Sequence, residues 1–268
     1  MLLIVIVSWN ARADLERCLR SLTAAPPARP HTIAVVDNAS EDGSAEMVAR
    51  MFPSIRLIRS GENLGFARAN NLAIRGLEGD PILLLNPDTV VPPGAIDELV
   101  DYLERHPDAA AVGPRLVDGN RRVEISFGRV PSPLREAVRK VVSALHARRV
   151  RVISRWLERR ASRPRSVDWV SGAALLLRRA PAEAVGLLDE EYGLYWEDID
   201  LCARLRRRGW RILFTPSAEI THLRGRSAAA AAPAAIRKAY RAAQLTFYER
   251  HRPRWVPALR LYQRLRYH

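Results

Sequence analysis

Cysteine is scarce in this chain of 268 residues: Cys18 and Cys202 are the only two, far apart in sequence. Two cysteines exclude a disulfide scaffold. No apolar run reaches the roughly 18 residues that a membrane-spanning helix needs. The opening MLLIVIVSWN is apolar but short, with no basic leader and no small-residue cleavage site. It reads as a buried strand rather than a signal peptide, and the expected compartment is cytoplasmic. Phosphate-binding glycine patterns are missing as well. No G-x-G-x-x-G follows the first apolar run, and no G-x-x-x-x-G-K occurs. Dehydrogenase and P-loop readings thereby lose their main support. Lysine is nearly absent, with only Lys140 and Lys238, so the positive charge is almost all arginine.

What remains is ordinary globular composition, 48% hydrophobic and 27% charged. The length suffices for one large α/β domain or two small ones with a well-buried core. The net charge is +14 and unevenly spread. Residues 121–165 hold fourteen Arg/Lys against three Glu, and residues 236–268 hold nine against one, leaving a net −5 on the rest. Two basic segments on a mildly acidic body suit an anionic partner: nucleic acid, a phospholipid surface or a phosphorylated substrate. No helix-turn-helix, zinc-ligand or RNP-like pattern supports specific nucleic-acid binding.

Along the first half, apolar runs alternate with helical periodicity. Strands are expected at 2–7, 32–36, 55–58 and 82–85, and helices at 12–23, 43–51, 65–76 and from Pro93 to about Arg105. Continuous apolar strands between helices predict an α/β fold with a parallel, doubly wound sheet. Later strands are expected at 110–117, 172–177 and 211–215, and helices at 198–208 and 236–250. Residues 134–157 read as one basic amphipathic helix or a broken pair. The alanine-rich run 228–235 reads as a linker or a helix start.

Ligands of such sheets bind at the carboxyl ends of the strands. Three polar clusters stand there: Ser8-Trp9-Asn10, Asp37-Asn38-Ala39-Ser40 and Asn86-Pro87-Asp88. One cluster alone reads equally well as a turn or helix cap; three on neighbouring strands point to a site. Asp88, a hard oxygen donor, suits Mg²⁺ or Mn²⁺. Glu197, Asp198 and Asp200 crowd three carboxylates into four residues, more than helix capping needs, so one of them is a candidate general base. His222 follows the last expected strand.

Together these clusters resemble glycosyltransferase family 2, with the GT-A fold, and most of all its rhamnosyltransferase-like branch. The ordered motifs also include Asn63–Asn71, Trp169-Val170-Ser171-Gly172-Ala173 and the Tyr195–Cys202 stretch, and the resemblance spans about residues 1–227. It implies a GT-A domain with a nucleotide-sugar half (1–107) and an acceptor half (108–227) carrying the basic insert 121–165, then a basic helical extension (228–268). It implies inverting sugar transfer from a nucleotide-diphosphate sugar to a glycan or lipid-linked acceptor in cell-wall or polysaccharide synthesis. The donor would be a dTDP-sugar such as dTDP-rhamnose, or else a UDP-sugar.

By the same resemblance, Ser8, Asn10, Asp37, Asn38, Asn63, Gly65, Phe66, Asn70, Asn86 and Asp88 would bind the donor. Asp88 and His222 would hold Mg²⁺ or Mn²⁺; Asn86 stands where the family's first acidic position falls. Asp198 would be the base, with Glu197 as the fallback, and Trp169, Ser171, Gly172 and Trp196 would border sugar and acceptor. The basic segments would attach the protein peripherally to the anionic inner face of the plasma membrane. A nucleotide-sugar-binding module without catalysis and a sugar nucleotidyltransferase are the competing readings.

Overall fold

The computed structural model describes residues 1–193, 195–223 and 233–267. The chain opens β1 (Leu2–Ser8), α1 (Arg12–Ala24), β2 (His31–Asp37), α2 (Ser44–Met51), β3 (Arg56–Arg59), α3 (Gly65–Gly76), β4 (Ile82–Leu85), β5 (Thr89–Val90) and α4 (Ala95–Glu104). It continues β6 (Ala109–Val117), β7 (Phe127–Gly128), α5 (Pro133–Ala147), α6 (Arg151–Arg160), β8 (Arg165–Val167), β9 (Trp169–Val170), β10 (Ala174–Leu177) and α7 (Arg179–Ala184). It ends α8 (Glu197–Arg207), β11 (Arg211–His222), α9 (Pro233–His251) and α10 (Val256–Tyr267).

One sheet runs in the order β3-β2-β1-β4-β10-β6-β11-β5, with β8 also on β11. The first apolar run explains its centre. In β1, Leu3, Val5 and Val7 face one core while Leu2, Ile4 and Ile6 face the other, and all are buried. A strand covered on both faces has no polar position to alternate with. Each such side chain contributes about 1.5–3 kcal/mol by leaving water.

The sheet has the expected α/β character and is mostly parallel, with antiparallel members that the alternation of elements does not mark. β1, β2, β3 and β4 are parallel, but β10 runs antiparallel between β4 and β6. It enters the sheet antiparallel to β6 after the excursion 118–173, so the handedness rule for parallel connections does not apply to it. The final strand also differs: it continues past Thr215 to His222. Pro216 has no N–H for the ladder, and the register slips between Thr215 and Glu219 before pairing resumes. The apolar pattern breaks at that bulge, although the strand goes on.

Residues 134–157 are the broken pair. Ser132 caps α5 by accepting from the Arg135 N–H, Pro133 opens the helix, and Arg149 at φ 62° turns the chain into α6. The inner face of α5 joins α9 through Glu136, which accepts from Gln244 and Tyr248. Its outer face leaves Leu134, Val138 and Val141 exposed, beside Val152 and Trp156 of α6. Most of the alanine run 228–235 lies outside the described residues, and α9 begins at Pro233. Both cysteines are buried and free. Among the described residues no helix is long and apolar enough to cross a membrane.

Candidate active site

The carboxyl ends of β1, β2 and β4 gather the expected donor residues. Parallel pairing sets Ser8 beside Asp37, and the Asn38 N–H donates to the Ser8 carbonyl at 2.8 Å. Asn38 in turn fixes the entry to α3: its Oδ1 accepts from the Leu64 N–H at 2.8 Å and its Nδ2 donates to Asn63 Oδ1 at 2.9 Å. Gly65 follows at φ 75°, where an added Cβ would stand 3.0 Å from the Gly193 carbonyl. Asn10, itself at φ 48°, accepts from the Glu41 N–H and ties the first loop to the second.

Ser8 Oγ, Asp37 Oδ1 and Asn70 Oδ1 are buried without a hydrogen-bonding partner. Buried polar atoms normally find one, so unmatched groups at the ends of β1 and β2 and on α3 mark a surface built for a polar ligand. A depression lined by Thr23, His31, Arg56 and Glu78 lies at the opposite, amino-terminal edge of the strands.

The second centre is His222. β11 pairs His222 with Thr89, and the Leu223 N–H donates to the Asp88 carbonyl at 2.8 Å, so the long last strand carries the imidazole to the Asp88 loop. His222 Nε2 lies 3.1 Å from Asp88 Oδ1 and 3.5 Å from Asn86 Nδ2. Nδ1 lies 3.0 Å from Glu124 Oε2, a residue the sequence reading missed. Burial works against a charged ring, but the Asp88 and Glu124 carboxylates outweigh it and hold the imidazole up to about 9.

Among the described residues no group of three or more His, Cys, Asp or Glu is arranged to hold a metal. The donor set at Asp88 and His222 nonetheless fits a divalent cation that shares its coordination with a ligand. One carboxylate and one imidazole converge there, and Asp88 Oδ1 is buried with no well-aligned hydrogen bond. Mg²⁺-type sites commonly take one or two carboxylates and leave the remaining positions to phosphate oxygens and water.

The carboxylate triplet separates into three environments. Asp200 is buried and held by Arg204, Tyr192 and His251 of α9; burial opposes its charge, yet these partners keep it below the usual carboxylate range. Asp200 thus anchors the C-terminal helices. Asp198 accepts from the Gly172 N–H at 2.8 Å and from the Ile199 N–H at 2.7 Å, and it stays partly exposed. Burial raises it, while those donors and the charge of Arg139 pull the other way. Glu197 is buried, its Oε2 unmatched; burial and the adjacent Asp198 charge push it up. Of the two, Asp198 is the one whose two oxygens each accept from a backbone N–H, which favours charge there.

Backbone hydrogen bonds connect the two halves. Asp198 grips Gly172; the next carbonyl, on Ala173, accepts from the Asn86 N–H at 3.0 Å. A Cβ on Gly172 would stand 3.4 Å from Asp198 Cβ and 3.5 Å from the Phe66 ring, so the three elements meet at this glycine. Tyr195 and Trp196, at φ 67° and 74°, lead into α8 in the left-handed region. Non-glycine residues there cost about 1–3 kcal/mol each and persist where the surroundings over-determine them.

Trp169 and Trp196 are buried, as Gly172 is, whereas Ser171 is half-buried. Trp169 Nε1 donates to the Arg129 carbonyl and its ring packs on Gly128. Trp196 packs among Tyr240, Phe247 and Tyr248 of α9. Ser171 shapes the loop, its N–H donating to the Ser126 carbonyl at 2.7 Å.

This fold is shared with solved sugar transferases. The mannosyltransferase PcManGT from Pyrobaculum calidifontis, in complex with GDP-Man and Mn²⁺, aligns at TM-score 0.62 and 18% identity, over 97% of this chain and 68% of that one. The class is therefore a GT-A-like α/β fold. A family model described as "Glycosyltransferase like family 2" matches residues 2–258. The chain belongs to glycosyltransferase family 2. An N-acetylglucosaminyl-diphospho-decaprenol L-rhamnosyltransferase of Mycobacterium tuberculosis is 33% identical over 268 residues, spanning 96% of this chain and 87% of the relative. Rhamnosyltransferase WbbL of Escherichia coli is 24% identical over 229 residues, 83% of each chain.

Proposed function

We propose that this family 2 enzyme is an inverting, cation-dependent glycosyltransferase. It moves a sugar, with rhamnose the first candidate, from a dTDP- or UDP-sugar to a hydroxyl of a lipid-linked glycan in cell-wall or polysaccharide synthesis. The donor sugar and the diphospho-lipid acceptor follow the name of the M. tuberculosis relative. The observation that carries the mechanism is the path from Asp198 through Gly172 and Ala173 to Asn86, which links a partly exposed carboxylate to the Asn86–Asp88 loop.

Residues 1–107 hold the donor: Ser8, Asn10, Asp37 and Asn38 take the nucleoside, Asn63, Gly65, Phe66 and Asn70 line its pocket, and Asn86 and Asp88 face the diphosphate. Asp88 and His222 would hold Mg²⁺ or Mn²⁺, which would offset the charge gathering on the leaving diphosphate. Asp198 takes the proton of the acceptor hydroxyl as that oxygen attacks the anomeric carbon. The bond from that carbon to the diphosphate oxygen breaks on the opposite side, and the diphosphate departs with the bonding pair. Glu197, kept neutral, adds no second negative charge beside the base. Ser171 and Gly172 border the sugar, with Trp169 and Trp196 behind them.

The arginine-rich segments and the apolar outer face of α5 and α6 support peripheral attachment to an anionic membrane, where such acceptors reside. The test is calorimetric titration of dTDP, UDP and GDP with and without Mn²⁺, on the native chain and Asp88→Ala. Cation-dependent binding of one nucleotide, lost in the variant, is expected. A folded protein that binds none of them, in solution or on anionic liposomes, would overturn the reading.

A further inference from the structure

We propose that Glu124 is a positioning residue for His222, fixing which ring nitrogen faces the cation; the inference rests on reading Asp88 and His222 as the cation site. The imidazole stands between two buried carboxylates, with Nδ1 3.0 Å from Glu124 Oε2 and Nε2 3.1 Å from Asp88 Oδ1. As a cation ligand the ring must be neutral, with one N–H, and an ionised carboxylate only accepts, so only one of the two can then take a hydrogen bond from the ring. A proton on Nδ1 satisfies Glu124 and leaves the Nε2 lone pair on the side of Asp88 and Asn86. A proton on Nε2 would face Asp88 and block that nitrogen as a ligand. Carboxylate–histidine–metal arrangements use this division of labour, the outer carboxylate setting tautomer, ring angle and basicity.

The backbone around Glu124 is built for the task. Asp118 Oδ1 accepts from the Asn120 and Arg122 N–H groups and closes a turn, and Val123 bridges back to Val117. The Glu124 N–H then donates to the Leu116 carbonyl at 2.9 Å, on the strand that pairs with β11. The Glu124 carbonyl accepts from Ser126, whose own carbonyl accepts from Ser171 of the acceptor loop. Glu124 is thereby locked to the sheet that carries His222 and to the loop that meets Asp198.

The experiment compares native protein with Glu124→Ala, Glu124→Gln, Asp88→Ala and His222→Ala, each verified as folded by circular dichroism. Mn²⁺ binding is read from the free-Mn²⁺ EPR signal, alone and with dTDP or UDP. The His222 tautomer is read from long-range ¹H–¹⁵N NMR of the protein saturated with diamagnetic Mg²⁺, where a ligating ring is neutral. Glu124→Ala is expected to weaken Mn²⁺ binding about 10–100-fold and to shift the ring away from the Nδ1–H form. Glu124→Gln, which keeps an acceptor oxygen, is expected to lose less and to retain the tautomer. Native Mn²⁺ affinity in Glu124→Ala, with Asp88→Ala and His222→Ala both impaired, would overturn the role of Glu124 alone. Native affinity in all four variants would overturn the cation site itself, and this inference with it.

Discussion

Asp198→Asn separates chemistry from binding. The carboxylate accepts from two backbone N–H groups, and asparagine keeps one oxygen for Gly172, so the loop that leads to Asn86 stays in place. Nucleoside diphosphate affinity should therefore change by less than about twofold. Loss of a positioned base lowers turnover about 10²–10⁴-fold, roughly 3–5 kcal/mol in the barrier. The sign for stability runs the other way. Burial raises Asp198 in the folded state, so its ionised form opposes folding at pH above the unfolded value of about 3.9. Removing the charge should leave Tm at neutral pH unchanged or higher. Glu197→Gln imitates the protonated acid and should keep turnover within about tenfold, since the proton transfer itself is untouched. The assay is kcat and kcat/KM with donor and acceptor sugar, beside calorimetry for the diphosphate. Turnover retained in Asp198→Asn with nucleotide bound normally, or a greater loss in Glu197→Gln, would refute the assignment.

The pH profile of kcat/KM should lose activity as pH falls through the raised Asp198 value, above the ordinary carboxylate range; Arg139→Gln, which removes a charge that lowers it, should move that limb to higher pH. Asp200→Asn should cost about 3–5 kcal/mol by leaving Arg204 and His251 without their buried partner, lowering Tm by roughly 5–15 °C in a thermal melt. That contribution is present above the unfolded Asp value and lost as acid passes the depressed folded one, so native and variant melts should converge at low pH. Replacing Val138, Val141 and Trp156 by serine should reduce sedimentation with anionic vesicles at low salt and spare turnover of a soluble acceptor; unchanged sedimentation would show that the α5–α6 face is not the attachment surface.

What the sequence disclosed and what it withheld follow from the range of the interactions involved. β1 and β4 were legible because strands buried on both faces need unbroken apolar runs, and α3 because its apolar positions recur at helical spacing. The polar cluster at the strand ends was legible because parallel pairing places those ends side by side, as with Ser8 and Asp37. β10 carries the same apolar signature in either direction, so its antiparallel course had no local mark. The extension of β11 was hidden by Pro216, and with it the reason that His222 reaches Asp88. Glu124 is the sharpest case. In sequence it is one glutamate in a strongly basic segment, whose spacing to His222 carries no pattern. Its meaning arises only when a turn closed by Asp118 returns the chain to β6 and the strand paired with β6 delivers an imidazole. The carboxylates expected to act on substrate lie within motifs, whereas a carboxylate that faces only another side chain is brought into place by tertiary geometry alone.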